Sequence, residues 1–166
     1  TGAVSLMNGS GAVITDKQGK FAIADDFTCP SPDAQIYLVA QGGDAGYGTN
    51  HAAVLMSALG SCGDLGTGTV IDVSEVSSVA SVYALAQFMT PGSTAVGTSS
   101  TNIRGLANAF STVMNLIDPS TGQARATTPA GNGTVPQATI NALANIIASC
   151  VNTKGDGACT QLCSLA

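Results

Sequence analysis

The sequence predicts a disulfide-stapled α+β domain, in which a small antiparallel β-sandwich packs against two or three helices. Three observations predict this fold: short β-rich runs between turns, a later change to helical periodicity, and five cysteines. A chain of 166 residues is long enough for one domain with a sizeable core. We therefore expect one domain over residues 1–166, with mainly strands over 1–73, mainly helices over 74–151 and a disulfide-closed tail over 152–166.

The strands are predicted from short apolar or alternating runs that end at turn residues. Residues 8–10 (NGS) are typical of a hairpin turn, and Gly19 can adopt positive φ in the polar turn that follows. Residues 52–59 are ambiguous between a strand and a short helix, because a short apolar run fits both. The predicted strands are residues 3–7, 11–15, 21–25, 35–40 and 69–73.

Three helices are predicted from apolar residues at i, i+3, i+4 and i+7 spacing. The first follows a Ser74 cap, the second an Asn102 cap, and the third a capping-box pattern that starts at Thr134 and ends at Gln137. Each stripe is expected to face the core. Their apolar residues are Val76, Val79, Ala80, Val82 and Tyr83 in the first, Ile103, Leu106, Ala107, Phe110, Val113, Met114 and Ile117 in the second, and Ile140, Leu143, Ala144, Ile147 and Val151 in the third.

The five cysteines predict two disulfides. Cys150 and Cys159 bracket a short loop with two glycines, and Cys29 and Cys62 lie at the ends of apolar runs. We predict the pairs Cys29–Cys62 and Cys150–Cys159, each stabilising the fold by about 2–4 kcal/mol. Cys163 is left over, either as a buried free thiol or as a covalent link to another chain. Disulfides indicate an oxidising compartment, so we expect an extracellular or cell-surface protein.

The composition excludes two classes of partner. Charged residues make up 9% of the chain, and its net charge is −5 with five Lys and Arg residues in total. A basic patch that could bind a nucleic-acid backbone cannot be built from so few cations. The sequence also contains no apolar run of the roughly 18 residues that a membrane span needs. A surface of Ser, Thr, Asn, Gln and Gly is more typical of an exported protein.

The residues that could carry catalysis or bind a metal are few. The single imidazole is His51, and no Gly-x-Ser-x-Gly motif accompanies it, so a hydrolase built on His51 is the third-ranked hypothesis and we expect no catalytic site. No cofactor is predicted except weak Ca²⁺ binding, for which solvated loop carboxylates are the alternative interpretation. The Ca²⁺ candidates are Asp25, Asp26 and Asp156, with Asp33, Asp44 and Asp64 in similar predicted loops or strand ends.

One family resemblance is carried by the start of the chain. Residues 2–6 (GAVSL) and 13–23 (VITDKQGKFAI) resemble the carboxypeptidase-regulatory-like or Cna-B-like β-sandwich domain. Further segments resemble domains of large exported bacterial surface proteins: residues 28–30 (TCP), 36–43 (IYLVAQGG), 75–80 (EVSSVA) and 128–136 (TPAGNGTVP). The resemblance implies an immunoglobulin-like sandwich and an exported location, and it says little about activity.

The resemblance also predicts how copies of the chain assemble. Cna-B-like domains have one more strand before the one that residues 3–7 match, so the sandwich is expected to have an open edge. A strand from another copy could cover that edge, as in donor-strand assembly. The predicted contacts are Ala3, Val4, Leu6, Met7 and Leu165.

The predicted function is therefore that of a non-enzymatic subunit of an extracellular, pilus-like filament with copies of itself as partners. The alternative is a monomeric surface-adhesion or carbohydrate-binding module that recognises a glycan or another surface ligand.

Overall fold

A computed structural model describes residues 2–8, 11–24, 27–155 and 157–165, without the side chains of Cys163 and Leu165. Within these residues the chain is mixed α+β, with four α-helices, two small antiparallel sheets and two disulfides. The strands are β1 (Gln35–Gln41), β2 (Val54–Ser61), β3 (Ile117–Asp118) and β4 (Gln123–Ala124). The helices are α1 (Glu75–Leu85), α2 (Ile103–Leu116), α3 (Gln137–Val151) and α4 (Ala158–Leu165), with 3₁₀ turns at Cys62–Asp64 and Ala86–Phe88.

The main sheet is the antiparallel hairpin β1–β2, whose register pairs Gln35 with Ser61 and Gln41 with Val54. A register shift after Ile36 leaves Leu59 as the extra residue of a bulge. Residues 35–40 were predicted as a strand, and this prediction is confirmed. The ambiguous run at 52–59 is largely strand β2, because its backbone can form hydrogen bonds with the neighbouring strand β1.

Several of the predicted strands are wrong. Residues 3–7, 11–15, 21–24 and 69–73 are not strands, and among them only Met7 takes part in a β-bridge, which pairs it with Phe27. An alternating pattern makes a strand possible, but a strand persists only where a neighbour pairs with its backbone. The described residues contain two two-stranded sheets, so the β-sandwich is not confirmed, and helices pack on the main hairpin instead.

The core lies between the β1–β2 hairpin and the helices. Met56 and Ala58 of β2 pack with Leu85 of α1 and with Phe110 and Val113 of α2, all of them fully or almost fully buried. A second cluster joins α1 to α3 through Val79, Ala124, Val135, Ile140 and Ala144. The predicted stripe of α2 is correct for Phe110, Val113 and Ile117, whereas Ile103 in the first turn is exposed.

The predicted stripe of helix α1 is correct for Val76, Val79 and Ala80, which face the core, and wrong for Val82 and Tyr83. Val82 and Tyr83 are 46% and 74% exposed, whereas Ser77, Ser78 and Ser81 are buried. Small side chains let the helix approach β2 closely, and their hydroxyl groups bond to its backbone. The Ser74 cap is confirmed, since its hydroxyl and that of Ser77 form a reciprocal capping box.

Helix α3 begins later than the predicted capping box. Pro136 is its N-cap, and Gln137 donates a side-chain hydrogen bond to Ala124 O of β4 instead of capping its own helix. Thr134 forms an isolated bridge with Thr127. The two ends of the predicted capping box therefore bond to other segments, and Gln137 links α3 to the β3–β4 hairpin. Leu143 of the predicted stripe is 45% exposed.

Both predicted disulfides are present. Cys29–Cys62 ties the segment before β1 to the end of β2, and Cys150–Cys159 ties the end of α3 to α4. The buried Asn50 holds the second bridge in place, because its Nδ2 donates to Cys150 O at 2.9 Å while its Oδ1 accepts from Ala52 N and Ala53 N. The predicted tail is therefore largely a helix fixed to the loop before β2. Among the described residues no helix combines the length and apolarity that crossing a membrane requires.

Candidate functional site

The segment of residues 2–7, called the leading segment below, contacts the rest of the described chain mainly at its two ends. Gly2 forms an isolated antiparallel bridge with Gly97, and Met7 forms another with Phe27. Between these bridges the side chain of Val4 is 77% exposed. Of the predicted contact residues, Ala3 and Val4 are exposed, and Leu6 and Met7 are partly buried. Leu165, the remaining one, has its side chain outside the described residues.

A polar turn follows the leading segment and orders the chain before Phe21. The Asp16 carboxylate accepts hydrogen bonds from Gln18 N at 2.8 Å and Lys20 N at 2.9 Å. Gly19 adopts φ 75°, as predicted for this turn. Ile14, just before the turn, is 92% exposed. The first part of the chain therefore presents apolar side chains to solvent at both Val4 and Ile14.

The outer edge of β2 is closed by three serine side chains of α1. Met56 N donates to Ser78 Oγ at 2.9 Å, and Ala58 N donates to Ser81 Oγ at 3.0 Å. Ser77 Oγ donates to Met56 O at 2.9 Å. These hydroxyls occupy the positions that the backbone of a further strand would take, so this edge of the sheet cannot accept one.

The outer edge of β1 is open in the described part of the chain. Because Met56 and Ala58 point their N–H groups away from β1, their partners Val39 and Tyr37 point theirs away from β2. Gln41 has the same orientation, since strand residues alternate. Among the described residues the outward N–H and C=O groups of these three have no hydrogen-bond partner.

The Gly2 end of the leading segment is joined to the stretch of chain that contacts the Tyr37 side chain. Val96 N donates to the Tyr37 hydroxyl oxygen at 3.3 Å, and the next residue, Gly97, forms the bridge with Gly2. An open groove of about 560 Å³ lies beside that bridge, lined by Gly2, Phe88, Met89, Pro91, Gly97 and Ser99 among others. The groove and the Gly2 end of the leading segment therefore share one region of the surface.

The other candidate residues form no site in the described part of the chain. His51 is exposed, and no hydrogen bond or ion pair joins its imidazole to any described residue. The described residues contain no group of three or more His, Cys, Asp or Glu that could hold a metal ion. The Ca²⁺ candidates Asp25, Asp26 and Asp156 lie outside the described residues, as does the side chain of Cys163.

Asp44, a further Ca²⁺ candidate, is used for local structure. Its Oδ1 accepts from Gly46 N at 2.8 Å and from Gly48 N at 2.9 Å. These backbone hydrogen bonds lower the pKa of the Asp44 carboxyl below its usual value, with a smaller contribution from the charge of Lys154. The carboxylate therefore orders the loop before β2.

The serine cover of β2 is the functional feature that sequence reasoning missed. The signal was present in the first helix as serines at positions 77, 78 and 81, spaced to share one face. We assigned the buried face by apolarity, which ranks Val82 and Tyr83 above serine. A run of small hydroxyl residues in a helix next to a predicted strand would have indicated the contact.

Comparison with known proteins assigns no family. No family model matches the sequence, and neither a curated protein nor a solved structure matches the chain at a significant level.

Proposed function

We propose that the chain is an exported, non-enzymatic structural module that associates with copies of itself by β-strand pairing, with the leading segment as the donor strand. The observation that carries the proposal is the position of that segment, which has a bridge at each end and an exposed Val4 between them. Uncharged, extended segments with exposed apolar residues are the kind of chain that adds to a sheet edge.

Such pairing has two favourable contributions, which offset the cost of bringing two chains together. A donor strand of five residues forms about four backbone hydrogen bonds, each with a net contribution near 1 kcal/mol. Burial of a valine side chain adds about 1.5–3 kcal/mol. The two single bridges to Gly97 and Phe27 are the contacts that must open first.

The immunoglobulin-like sandwich belongs to this proposal. In the described part of one chain the main sheet has two strands, and each strand added from another copy would enlarge it towards the sheet of a sandwich. The two disulfides and the 9% content of charged residues support an extracellular setting for the assembly.

The test compares wild type with Val4→Asp and with Ile14→Asp as the matched control. Sedimentation velocity over a concentration series, with negative-stain microscopy of the concentrated sample, measures the assembly. We expect wild type and Ile14→Asp to associate as concentration rises. We expect Val4→Asp to stay monomeric, because strand pairing would bury a charged carboxylate at position 4. A wild type that stays monomeric at the highest concentration contradicts the proposal, and so does equal association of the two variants.

A second candidate function is favoured by the groove beside Gly97. Its volume of about 560 Å³ falls in the range of small-ligand sites, and it combines the Phe88 ring with polar lining residues. A monomeric surface module that binds a short glycan would use this groove. Chemical-shift changes confined to residues 87–99 on addition of an oligosaccharide, in a protein that does not associate, would favour this candidate.

A further inference from the structure

We propose that the open edge of β1, formed by the outward backbone groups of Tyr37, Val39 and Gln41, accepts the leading segment of a second copy. This inference rests on the proposed function, which names the donor strand but not its acceptor. It adds the acceptor site on the chain and the face that the donor strand presents to the core.

The choice of edge follows from the asymmetry of the hairpin. Along β2 the outward groups of Met56 and Ala58 are already bonded to the serines of α1. Along β1 the equivalent groups of Tyr37, Val39 and Gln41 have no partner among the described residues. A third strand added at β2 would have to displace buried hydroxyl groups, whereas at β1 it would meet unpaired donors and acceptors.

The side chains of the donor also suit this edge. Val4 and Leu6 share one face of an extended strand, and Ala3 and Ser5 share the other. On β1 the residues Tyr37 and Val39 face the core, against which both are packed. Val4 and Leu6 placed beside them would extend that apolar face. Neither residues 2–8 nor β1 contain a charged side chain, so the pairing buries no charge.

The donor comes from another copy because the chain's own segment is held elsewhere. Its bridges go to Gly97 and Phe27, and among the described residues its backbone does not pair with β1. Exchange between two copies replaces these single bridges with a continuous ladder.

The first experiment uses a matched pair of proline substitutions at Gln41 and Val54. These residues face each other across the hairpin, are exposed, and direct their N–H groups to opposite edges. Proline removes one outward donor and places its ring where an added strand would lie, while the ladder between β1 and β2 is kept. We expect Gln41→Pro to weaken association by at least about tenfold and Val54→Pro to leave it unchanged.

The second experiment locates the donor directly, and it also decides the case in which a proline variant fails to fold. A photo-crosslinking residue replaces Val4 in ¹⁵N-labelled chain, which is mixed with unlabelled chain, irradiated and digested for mass spectrometry. We expect crosslinks between differently labelled peptides that join position 4 to residues 35–41.

The outcomes separate the two proposals. Crosslinks from position 4 to β2, crosslinks only within one label, or a Val54→Pro variant that weakens association as much as Gln41→Pro would overturn the acceptor site while self-association stands. A wild type that does not associate overturns self-association itself, and the acceptor site with it.

Discussion

Three serine hydroxyls on α1 are bonded to the backbone where a strand would otherwise pair with β2. Ser81 is fully buried, and its Oγ is the acceptor for Ala58 N. Ser78 Oγ accepts a hydrogen bond from Met56 N and also donates to Ser74 O at 2.7 Å. Helix α1 therefore binds the edge of β2 through side-chain hydrogen bonds. Most helices that contact a sheet pack on its face through apolar side chains.

Replacement of Ser81 by alanine tests this role at the level of one atom. The substitution leaves the buried Ala58 N–H without an acceptor, so we expect unfolding free energy to fall by about 1–3 kcal/mol. Ser111→Ala is the control, because Ser111 is an exposed helix serine whose hydroxyl donates only to Ala107 O. Its effect should stay within about 0.5 kcal/mol. Urea unfolding measures both, and equal effects would contradict the role of Ser81.

At the scale of the elements, the carboxylate of Asp118 holds the turn between β3 and β4. Asp118 Oδ1 accepts from Ser120 Oγ at 2.6 Å and from Ser120 N at 3.0 Å. These hydrogen bonds lower the pKa of Asp118, and the charge of Arg125, 3.5 Å away, contributes less. Arg125 in turn donates through Nε to Ile117 O and Met114 O, which caps the end of α2.

The lowered pKa predicts the direction of an acid effect. A carboxyl whose folded pKa lies below its unfolded value stabilises the fold above the unfolded pKa, and this contribution is lost as pH falls below about 4. As pH falls from about 5 through the unfolded and then the lowered folded pKa of Asp118, we expect the melting temperature of wild type to drop more steeply than that of Asp118→Asn. Asp44, shifted in the same direction, adds to the drop, so Asp44→Asn/Asp118→Asn should be flatter still. Parallel curves for all three proteins would contradict the assignment.

The helices and strands differ in how far the sequence predicts them. The stripe of α2 was predictable because Phe110, Val113 and Ile117 repeat at helical spacing and pack on one core. Strands at 3–7 and 11–15 were not, because a strand is defined by its partner, and no pattern within residues 3–7 specifies one. For α1 the apolar pattern placed Val79 and Ala80 correctly but missed the buried serines, whose burial depends on hydrogen bonds to β2.

The sequence indicates the leading segment of the candidate site but not the open edge of β1. The apolar residues of the leading segment, Val4 and Leu6, can be read from the sequence. The acceptor edge cannot, because its openness depends on where α1 packs. The pairing of the cysteines could be predicted, because each pair closes a loop that its flanking residues allow.

At the scale of the whole molecule, the main hairpin has one edge closed by α1 and one edge that is open in the described part of the chain. Natural proteins cover open edges or use them for pairing. Here α1 covers the edge of β2, and the leading segment of a second copy is the proposed cover for β1. A chain with few charges and two disulfides suits an assembled, extracellular setting, in which each copy is both donor and acceptor.

Amide hydrogen exchange as a function of protein concentration tests this account most directly. In dilute protein we expect the amides of Met56 and Ala58 to be protected, and those of Tyr37, Val39 and Gln41 to exchange rapidly. In concentrated protein the β1 amides should become protected, while those of β2 stay as they were. Protection of the β1 amides already in the dilute monomer, or no change in their exchange on concentration, would contradict the central claim.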